Sequence, residues 1–422
     1  MSTLRETTAS SAEQAVRVEV LREAMIGELR EMGAIRSDRV AEVFRAVPRY
    51  LFAPGAPLEE VYSPTAAVHV KWDEQGVPIS TVSAPELQAF MLEQADLQPG
   101  MTALEIGSGG ANAAMMDWMV GPEGTVTTVD IDPDVTNRAR RLLDAAGYAR
   151  VNVVLADAEY GVPQHAPFDR IIVTVGTWDI AQAWVDQLAP GGRLVVPLRM
   201  RGLTRSLALD RDGDHLVSRS AMICGFVKMQ GAGTHQERVL PLRGTQIGLR
   251  FDDGGPDDLH LPDGVLDTER AEVWSGVTIG RRESFDTLQF WLATTLPGFC
   301  LLAADADQGT ILVAAGNRWF NLAAVDSGSF AYLATRPIGS GRVEFGAHAF
   351  GSDAPAVAEA MVEQVRVWDR DHRGGIGPNF AIWPKNTPDE ALPPGLLINK
   401  RHHRVTVSWP AATVQVNPAR SK

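Results

Sequence analysis

The stretch Leu104-Glu105-Ile106-Gly107-Ser108-Gly109-Gly110 constrains this chain more than any other. Met101 to Ile106 is an apolar run that predicts a short buried strand, and Ala111 to Met119 reads as a helix. A glycine-rich turn between strand and helix lets the backbone approach a ligand closely and presents free N–H groups to it. Nucleotide-type cofactors are held in this way, although a glycine turn alone also occurs in α/β domains that bind nothing there.

The residues downstream narrow the choice. Gly124 to Val129 predicts a strand ending at Asp130, Pro133 to Ala146 a helix, and Val151 to Ala156 a strand ending at Asp157. A strand over Asp169 to Val175, a helix over Ile180 to Leu188 and a turn and strand over Gly191 to Pro197 follow. Such alternation implies an α/β fold, a parallel sheet with helices on both faces. Ser206 to Leu209 and Ala221 to Val227 read as a final antiparallel pair. In open parallel sheets the ligand sits at the carboxyl ends of the strands. Here those ends are Gly107-Ser108-Gly109, Asp130, Asp157 and Thr174 to Trp178. Asp130 suits a ribose diol and Asp157 an adenine amino group; either could instead cap the next helix. A dinucleotide fits this far, but Gly110-Ala111-Asn112 lacks the third glycine of that fingerprint. A methyl donor also accounts for the missing chemistry: the chain has no Ser-His-Asp elbow, no H-E-x-x-H and no carboxylate-rich metal loop. A carboxylate acceptor, with a pKa near ~4, is already ionised and needs no base, only alignment.

On either side of this core the signals are plainer. Residues 1–11 are Ser/Thr-rich and expected to be disordered, followed by a helix from Ser11 to Met32. Ser37-Asp38 caps a helix to Arg45, so residues 12–46 add helices to a first domain, 1–233. Val47 to Pro54 is followed by an irregular segment to Thr81, which has few regular signals and reads as a long functional loop. Ser83 and Glu86 match a capping box, with Pro85 in the first turn of a helix through Leu97; a cap can also serve a site. Residues 234–265, rich in Gly, Asp and Pro, read as a connection, and 266–422 as a smaller α+β domain. Its expected helices are Ser284 to Leu296 and Pro355 to Trp368. Its expected strands are Thr310 to Ala315, Ser329 to Thr335, Arg342 to Ala347 and His403 to Trp409. In the last strand Arg404, Thr406 and Ser408 alternate with Val405, Val407 and Trp409, so one face is expected to meet solvent or peptide.

Charge and cysteine usage limit the partners. A net charge of −13 without a long basic run argues against nucleic acid. The two cysteines, Cys224 and Cys300, form no metal or disulfide pattern, which suits a reducing cytoplasm. No signal peptide or apolar span of membrane length is present, so no membrane role is expected.

A set of motifs occurs in order: Val47-Pro-Arg49, Ser83-Ala-Pro85, Leu104-Glu-Ile-Gly-Ser-Gly109, Val129-Asp130, Ala156-Asp157 and Ala166-Pro-Phe-Asp-Arg-Ile-Ile-Val-Thr174. Asp186-Gln-Leu-Ala-Pro-Gly-Gly-Arg-Leu-Val-Val-Pro197 and Gly225-Phe-Val227 complete it. Over residues 38–232 the chain resembles the protein-L-isoaspartate (D-aspartate) O-methyltransferases. The resemblance implies a Rossmann-like class I methyltransferase sheet that binds S-adenosylmethionine and releases S-adenosylhomocysteine, with no metal. It implies that Thr81, Val82, Ser83 and Ala84 line the site, with Ser83 at the family's active-site hydroxyl. It assigns Glu105, Gly107, Ser108, Gly109, Asp130, Ile131, Asp157 and Ala158 to the cofactor, with Gln230 and His235 in a segment that closes over it.

Three departures set the chain apart. The family's usual His-x-His is Glu86-Leu87-Gln88, its Gly-Ser-Gly-Tyr is Gly109-Gly110-Ala111-Asn112, and its Ala-Pro after the fourth strand is Thr177-Trp178. The chain also continues far beyond Val227. These features resemble the branch associated with lanthipeptide-like ribosomal peptides, which methylates an ordinary aspartate in a modified precursor and leads through aspartimide to isoaspartate. Thr81, Ser83, Thr177 and Trp178 are then expected to meet the peptide, and the C-terminal domain to recognise it or act as a lid. The alternatives are general isoaspartyl repair and a non-catalytic binding module.

Overall fold

The alternating segments between residues 102 and 200 form a parallel sheet. The computed structural model describes residues 2–410 except 245–246, 254, 256–258, 260, 281–282 and 305–321, with the backbone alone for residues 2–12. It divides into two units, one of residues 1–198 and 204–234, the other of residues 199–203 and 235–422.

The first unit opens with helix α1 (Ser2–Glu31) and α2 (Asp38–Ala46). Helix α1 begins at Ser2, well before the expected start at Ser11, so the backbone is helical where disorder was expected. The Ser37 hydroxyl accepts from Val40 N at 3.2 Å and donates to Glu93 at 3.0 Å, while Glu93 also accepts from the Arg36 and Ser37 amides at 2.8 Å. One carboxylate thus closes the entry of α2. A 3₁₀ turn (Arg49–Phe52) follows, and the expected irregular segment to Thr81 instead holds a short helix α3 (Leu58–Val61) and a hairpin of β1 (Val68–Trp72) and β2 (Pro78–Val82). The hairpin was hidden because its burial is irregular and a register shift interrupts the pairing.

After α4 (Pro85–Ala95) the strands β3 (Thr102–Ile106), β4 (Thr125–Asp130), β5 (Asn152–Leu155) and β6 (Phe168–Val173) alternate with α5 (Ala111–Val120) and α6 (Pro133–Ala145). Helix α7 (Gln182–Gln187) leads into β7 (Leu188–Met200), then β8 (Leu203–Asp212) and β9 (His215–Ile223). Neighbours across the sheet run β9-β8-β7-β6-β3-β4-β5, with β7-β6-β3-β4-β5 parallel and β8-β9 antiparallel. Every residue of α5 except Trp118 is buried, Asp117 among them with Arg150 as its partner at 2.8 Å. Its core is shared with Leu29 and Phe44 from the N-terminal helices, Phe52 from the 3₁₀ turn and Leu92 from α4.

Among the described residues the second unit carries a seven-stranded sheet, β10 (Arg238–Arg243), β11 (Ile247–Phe251), β13 (Phe299–Ala304), β14 (Leu322–Asp326), β15 (Ser329–Gly339), β16 (Arg342–Phe350) and β12 (Ala271–Gly280) in that order. Helices α8 (Asp286–Thr295) and α9 (Ala354–Asp371) accompany it, followed by β17 (Asn379–Pro384), β18 (Leu396–Asn399) and β19 (His403–Ser408). Two expectations are corrected here. Residues 238–243 and 247–251, read as part of the 234–265 connection, form β10 and β11, whose Ile247, Leu249 and Phe251 are core residues. Strand β19 lies between β17 and β18 and is buried on both faces. Its polar side chains are satisfied within the unit: Trp383 donates to Thr406 at 2.9 Å, and Arg404 donates to Asn399 at 3.1 Å. The expected strand at Thr310 to Ala315 lies outside the described residues. Among the described residues no helix is long and apolar enough to cross a membrane.

Ser37→Ala should lower the unfolding free energy by about 1 kcal/mol, the usual value of a lost N-cap. Denaturant unfolding checks this, and ligand binding should be unchanged because the cap lies on α2, away from the strand ends.

Candidate active site

Strand β3 ends at Ile106, and the chain turns at Gly107 with φ of 99°. A Cβ there would stand 2.6 Å from the Thr174 hydroxyl and 3.1 Å from Val175 Cγ1, so only glycine fits. Thr174 closes the contact by placing its hydroxyl 2.9 Å from the Ile106 carbonyl and 3.0 Å from that of Gly107. Next in the turn, Ser108 N donates to Asp130 Oδ2 at 2.9 Å, while Asp130 Oδ1 accepts from Asp132 N at 2.9 Å. Burial holds the Asp130 carboxyl above the ordinary carboxylate range, with these amides acting in the opposite sense. The Ser108 hydroxyl is buried and has no hydrogen-bond partner among the described residues.

Asp157 ties the third strand end to the loop after β9. Its oxygens accept from Glu159 N at 3.0 Å and Ala232 N at 2.9 Å, and a Cβ on Gly231 would fall 2.4 Å from the carboxylate. Below the glycine turn, Glu105 is 1% exposed and accepts from the Thr128 hydroxyl at 2.6 Å. Burial pushes its pKa up to about 7, against the effect of hydrogen bonds from Thr128 and Asn112.

The opposite wall comes from β2 and the start of α4. Lys71 on β1 pairs with Asp132 at 2.6 Å and Asp134 at 2.8 Å, tying the hairpin to the first turn of α6. Ser83 is not the N-cap of α4. That position is Ala84, which makes no side-chain cap, and Glu86 N donates instead to the Pro64 carbonyl at 2.9 Å. The capping box fails because the helix starts one residue later than its spacing requires. The Ser83 carbonyl accepts from Arg49 Nη2 at 2.6 Å, and among the described residues nothing engages the Ser83 hydroxyl. Arg49 is 1% exposed, and burial brings its pKa down to about 10.

Two adjoining clefts result. The first is lined by Ile79, Ser80, Thr81, Val82, Ser83, Gln88, Glu105, Gly107, Ser108, Gly109, Ala111, Asn112, Asp130, Thr174, Val175 and Val227. The second is lined by Ile79, Ile106, Gly107, Val129, Asp130, Ile131, Asp157, Ala158, Val175, Lys228, Met229 and Gln230. They share Ile79, Gly107, Asp130 and Val175. Of the residues singled out from the sequence, four lie elsewhere. Ala84 is buried at the helix start. Thr177, expected to meet the peptide, is 1% exposed and its hydroxyl donates to the Pro197 carbonyl at 3.2 Å, so it is a packing residue. Trp178 lines neither cleft. His235 belongs to the second unit, where its Nε2 lies 2.8 Å from the Asp252 carbonyl oxygen.

Sequence reasoning missed Ile79 and Ser80, which belong to the unrecognised hairpin, and Lys228 and Met229. The last two are brought in by a bridge between Gly176 and Lys228 and by the amide of Met229 donating to the Gly176 carbonyl at 3.0 Å. No local signal marks that contact. Gln88 was visible as a departure from a motif without an assigned role. Among the described residues no group of three or more His, Cys, Asp or Glu could hold a metal ion.

The family model for protein-L-isoaspartate(D-aspartate) O-methyltransferase matches residues 20–233. The chain belongs to this family. A relative from Hyperthermus butylicus, a protein-L-isoaspartate O-methyltransferase, is 39% identical over 50% of this chain and 88% of its own. Another of that name, from Methanopyrus kandleri, is 36% identical over 51% of this chain and 94% of its own. Among solved structures, a protein-L-isoaspartate O-methyltransferase aligns over 92% of this chain and 99% of its own, with 21% identity and a TM-score of 0.48. One from Plasmodium falciparum, solved in complex with S-adenosyl-L-homocysteine, aligns over 50% of this chain and 98% of its own, with 18% identity and a TM-score of 0.43. The parallel sheet with its glycine turn is the class I methyltransferase sheet of this protein carboxyl O-methyltransferase family.

Glu105 sets a pH dependence of stability. Its folded pKa of about 7 lies above the ordinary 4.5, so its contribution is fully present below pH 4.5 and is lost as pH rises through 7. That loss amounts to about 3 kcal/mol. In Glu105→Gln this slope should disappear, which unfolding free energies measured at pH 5 and pH 7.5 will check.

Proposed function

We propose that this chain transfers the methyl group of S-adenosylmethionine to an aspartate side-chain carboxylate in a modified, lanthipeptide-like ribosomal peptide. The observation that carries carboxylate methylation is the make-up of the first cleft. Its lining contains no His, Lys, Cys or Tyr among the described residues, and its carboxylates, Glu105 and Asp130, are committed to Thr128, Ser108 and Asp132. Such a site suits an acceptor that arrives already ionised. The residues also suit the methyl donor: a buried Ser108 hydroxyl lacks a partner among the described residues, Gly107 leaves no room for a side chain, and Asp130 and Asp157 stand at successive strand ends.

When bound, S-adenosylmethionine supplies an electrophilic methyl carbon on a sulfonium. Asp130 and Asp157 hold its ribose and adenine side, with Ile131, Ala158 and Gln230 around them. Thr81, Val82 and Ser83 line the acceptor side, and the Ser83 hydroxyl donates to the carboxylate and aligns its attacking oxygen. On the methylated peptide, the next backbone amide nitrogen attacks the ester carbonyl, its proton leaves with the methoxy group as methanol, and an aspartimide forms. Hydrolysis of that ring yields isoaspartate.

The choice of an ordinary aspartate over damaged protein rests on the departures at Glu86-Leu87-Gln88 and on the second unit, whose residues from 235 onward lie beyond the family match. Selecting one aspartate among many requires contacts that a repair enzyme does without, and the second unit is assigned to that selection. Isoaspartyl repair is the second reading, favoured by identities of 36–39% to relatives named protein-L-isoaspartate O-methyltransferase.

With S-adenosylmethionine, a ring-constrained Asp peptide should gain a methyl group and then lose methanol, for a net loss of water by mass spectrometry. An isoaspartyl peptide should remain unchanged. Methylation of the isoaspartyl peptide alone establishes repair, and methylation of neither removes both readings. Ser83→Ala should slow methyl transfer about tenfold or more, the loss of one positioned hydrogen bond. Its unfolding free energy should stay within about 0.5 kcal/mol of wild type, as for substitutions away from caps and core packing.

A further inference from the structure

Gln88 stands in the first cleft where the family's motif has histidine, and its surroundings leave it one orientation. It is 4% exposed on α4, and its Oε1 accepts from Arg49 Nη1. A guanidinium can only donate, so Oε1 faces Arg49 and the amide Nε2 must point elsewhere. No hydrogen bond satisfies Nε2 among the described residues, yet Gln88 lines the cleft. An amide donor already fixed in orientation loses little freedom when an acceptor enters the cleft.

The position indicates which occupant. Ser83 and Gln88 line the first cleft and not the second, whereas Ile131, Asp157, Ala158 and Gln230 line the second and not the first. The acceptor thus meets Ser83 and Gln88 in the cleft that Asp157 does not line. A carboxylate brings two oxygens, and only one attacks the methyl carbon. We propose that Gln88 Nε2 donates to the substrate carboxylate and is a specificity-determining residue for it. In this arrangement Arg49 is a positioning residue: its guanidinium grips the Gln88 carbonyl oxygen, the Ser83 carbonyl and, at 2.8 Å, the Val61 carbonyl. One buried cation therefore sets both groups that face the acceptor. The inference rests on the reading that a carboxylate is methylated here.

The test compares three variants of the full chain on whichever peptide the wild type methylates. Gln88→Glu keeps a partner for Arg49 but replaces the cleft-facing donor with an acceptor. Gln88→Met fills the space with no donor at all. Gln88→His accepts from Arg49 on one ring nitrogen and donates from the other. Gln88→Glu and Gln88→Met should raise KM for the peptide about tenfold or more, as for a lost bond to a charged group. The Kd for S-adenosylhomocysteine, measured by calorimetry, should stay within about twofold of wild type. Gln88→His should keep KM within about threefold, because it restores the donor. Should one loss variant fail to fold, the other decides. Unchanged KM in either folded loss variant overturns the proposal. So does an equal defect in all three with cofactor affinity falling in step, since that is a packing effect. A wild type that methylates no carboxylate peptide overturns the underlying reading, and this inference with it.

Discussion

The site depends on a close approach between two strand ends. At Gly107 the backbone runs so near Thr174 that no side chain can be placed there, and the Thr174 hydroxyl holds the turn in place. Because β3 lies between β4 and β6, the turn sits among neighbouring carboxyl ends, and Asp130 can reach the amide of Ser108. Backbone N–H groups, a buried hydroxyl and a carboxylate meet there without any long side chain having to be ordered. Little rotamer entropy is lost in building a polar site this way.

The other wall is built differently. It depends on Arg49, a cation more than nine-tenths buried, which donates to oxygens of Val61, Ser83 and Gln88, none of them a carboxylate. Burying such a charge is unfavourable, which its lowered pKa reflects, and three oxygen acceptors offset the cost. The arrangement draws the 3₁₀ turn, α3 and the start of α4 together, three segments separated along the chain. Asp157 has a comparable role, joining the third strand end to Gly231 and Ala232.

The second unit has its own apolar centre, in which Phe251, Cys300, Tyr332 and Phe350 meet. It also buries charge: Lys400 reaches the Arg199 carbonyl at 2.8 Å and pairs with Asp253. Arg199 in turn lies 3.0 Å from Glu237 and 2.8 Å from Asp252. These pairs join residues of the strap 199–203 to residues from 237 onward. The unit therefore includes a piece of chain that precedes the last strands of the first, which a division of the sequence at one point cannot represent.

What is legible in the sequence is whatever repeats locally. The helical period of α6, the apolar runs of β3 and β4, the cap at Ser37 and the acidic residues that close β4 and β5 are properties of a few adjacent residues. The glycine turn and both carboxylates can therefore be placed from the sequence alone. The tertiary structure decides what depends on partners distant in the chain. Ser83 matches a capping box by spacing, yet Arg49 and Pro64 hold the corner so that the helix starts at Pro85 and the hydroxyl is left to the cleft. Thr177 follows a strand end like a site residue, but Pro197 takes its hydroxyl. The alternation in β19 promises one open face, yet both faces are buried and its polar side chains find partners on the flanking strands. Periodicity records which face a residue occupies, whereas burial depends on what packs against that face, and that is settled only when remote segments meet.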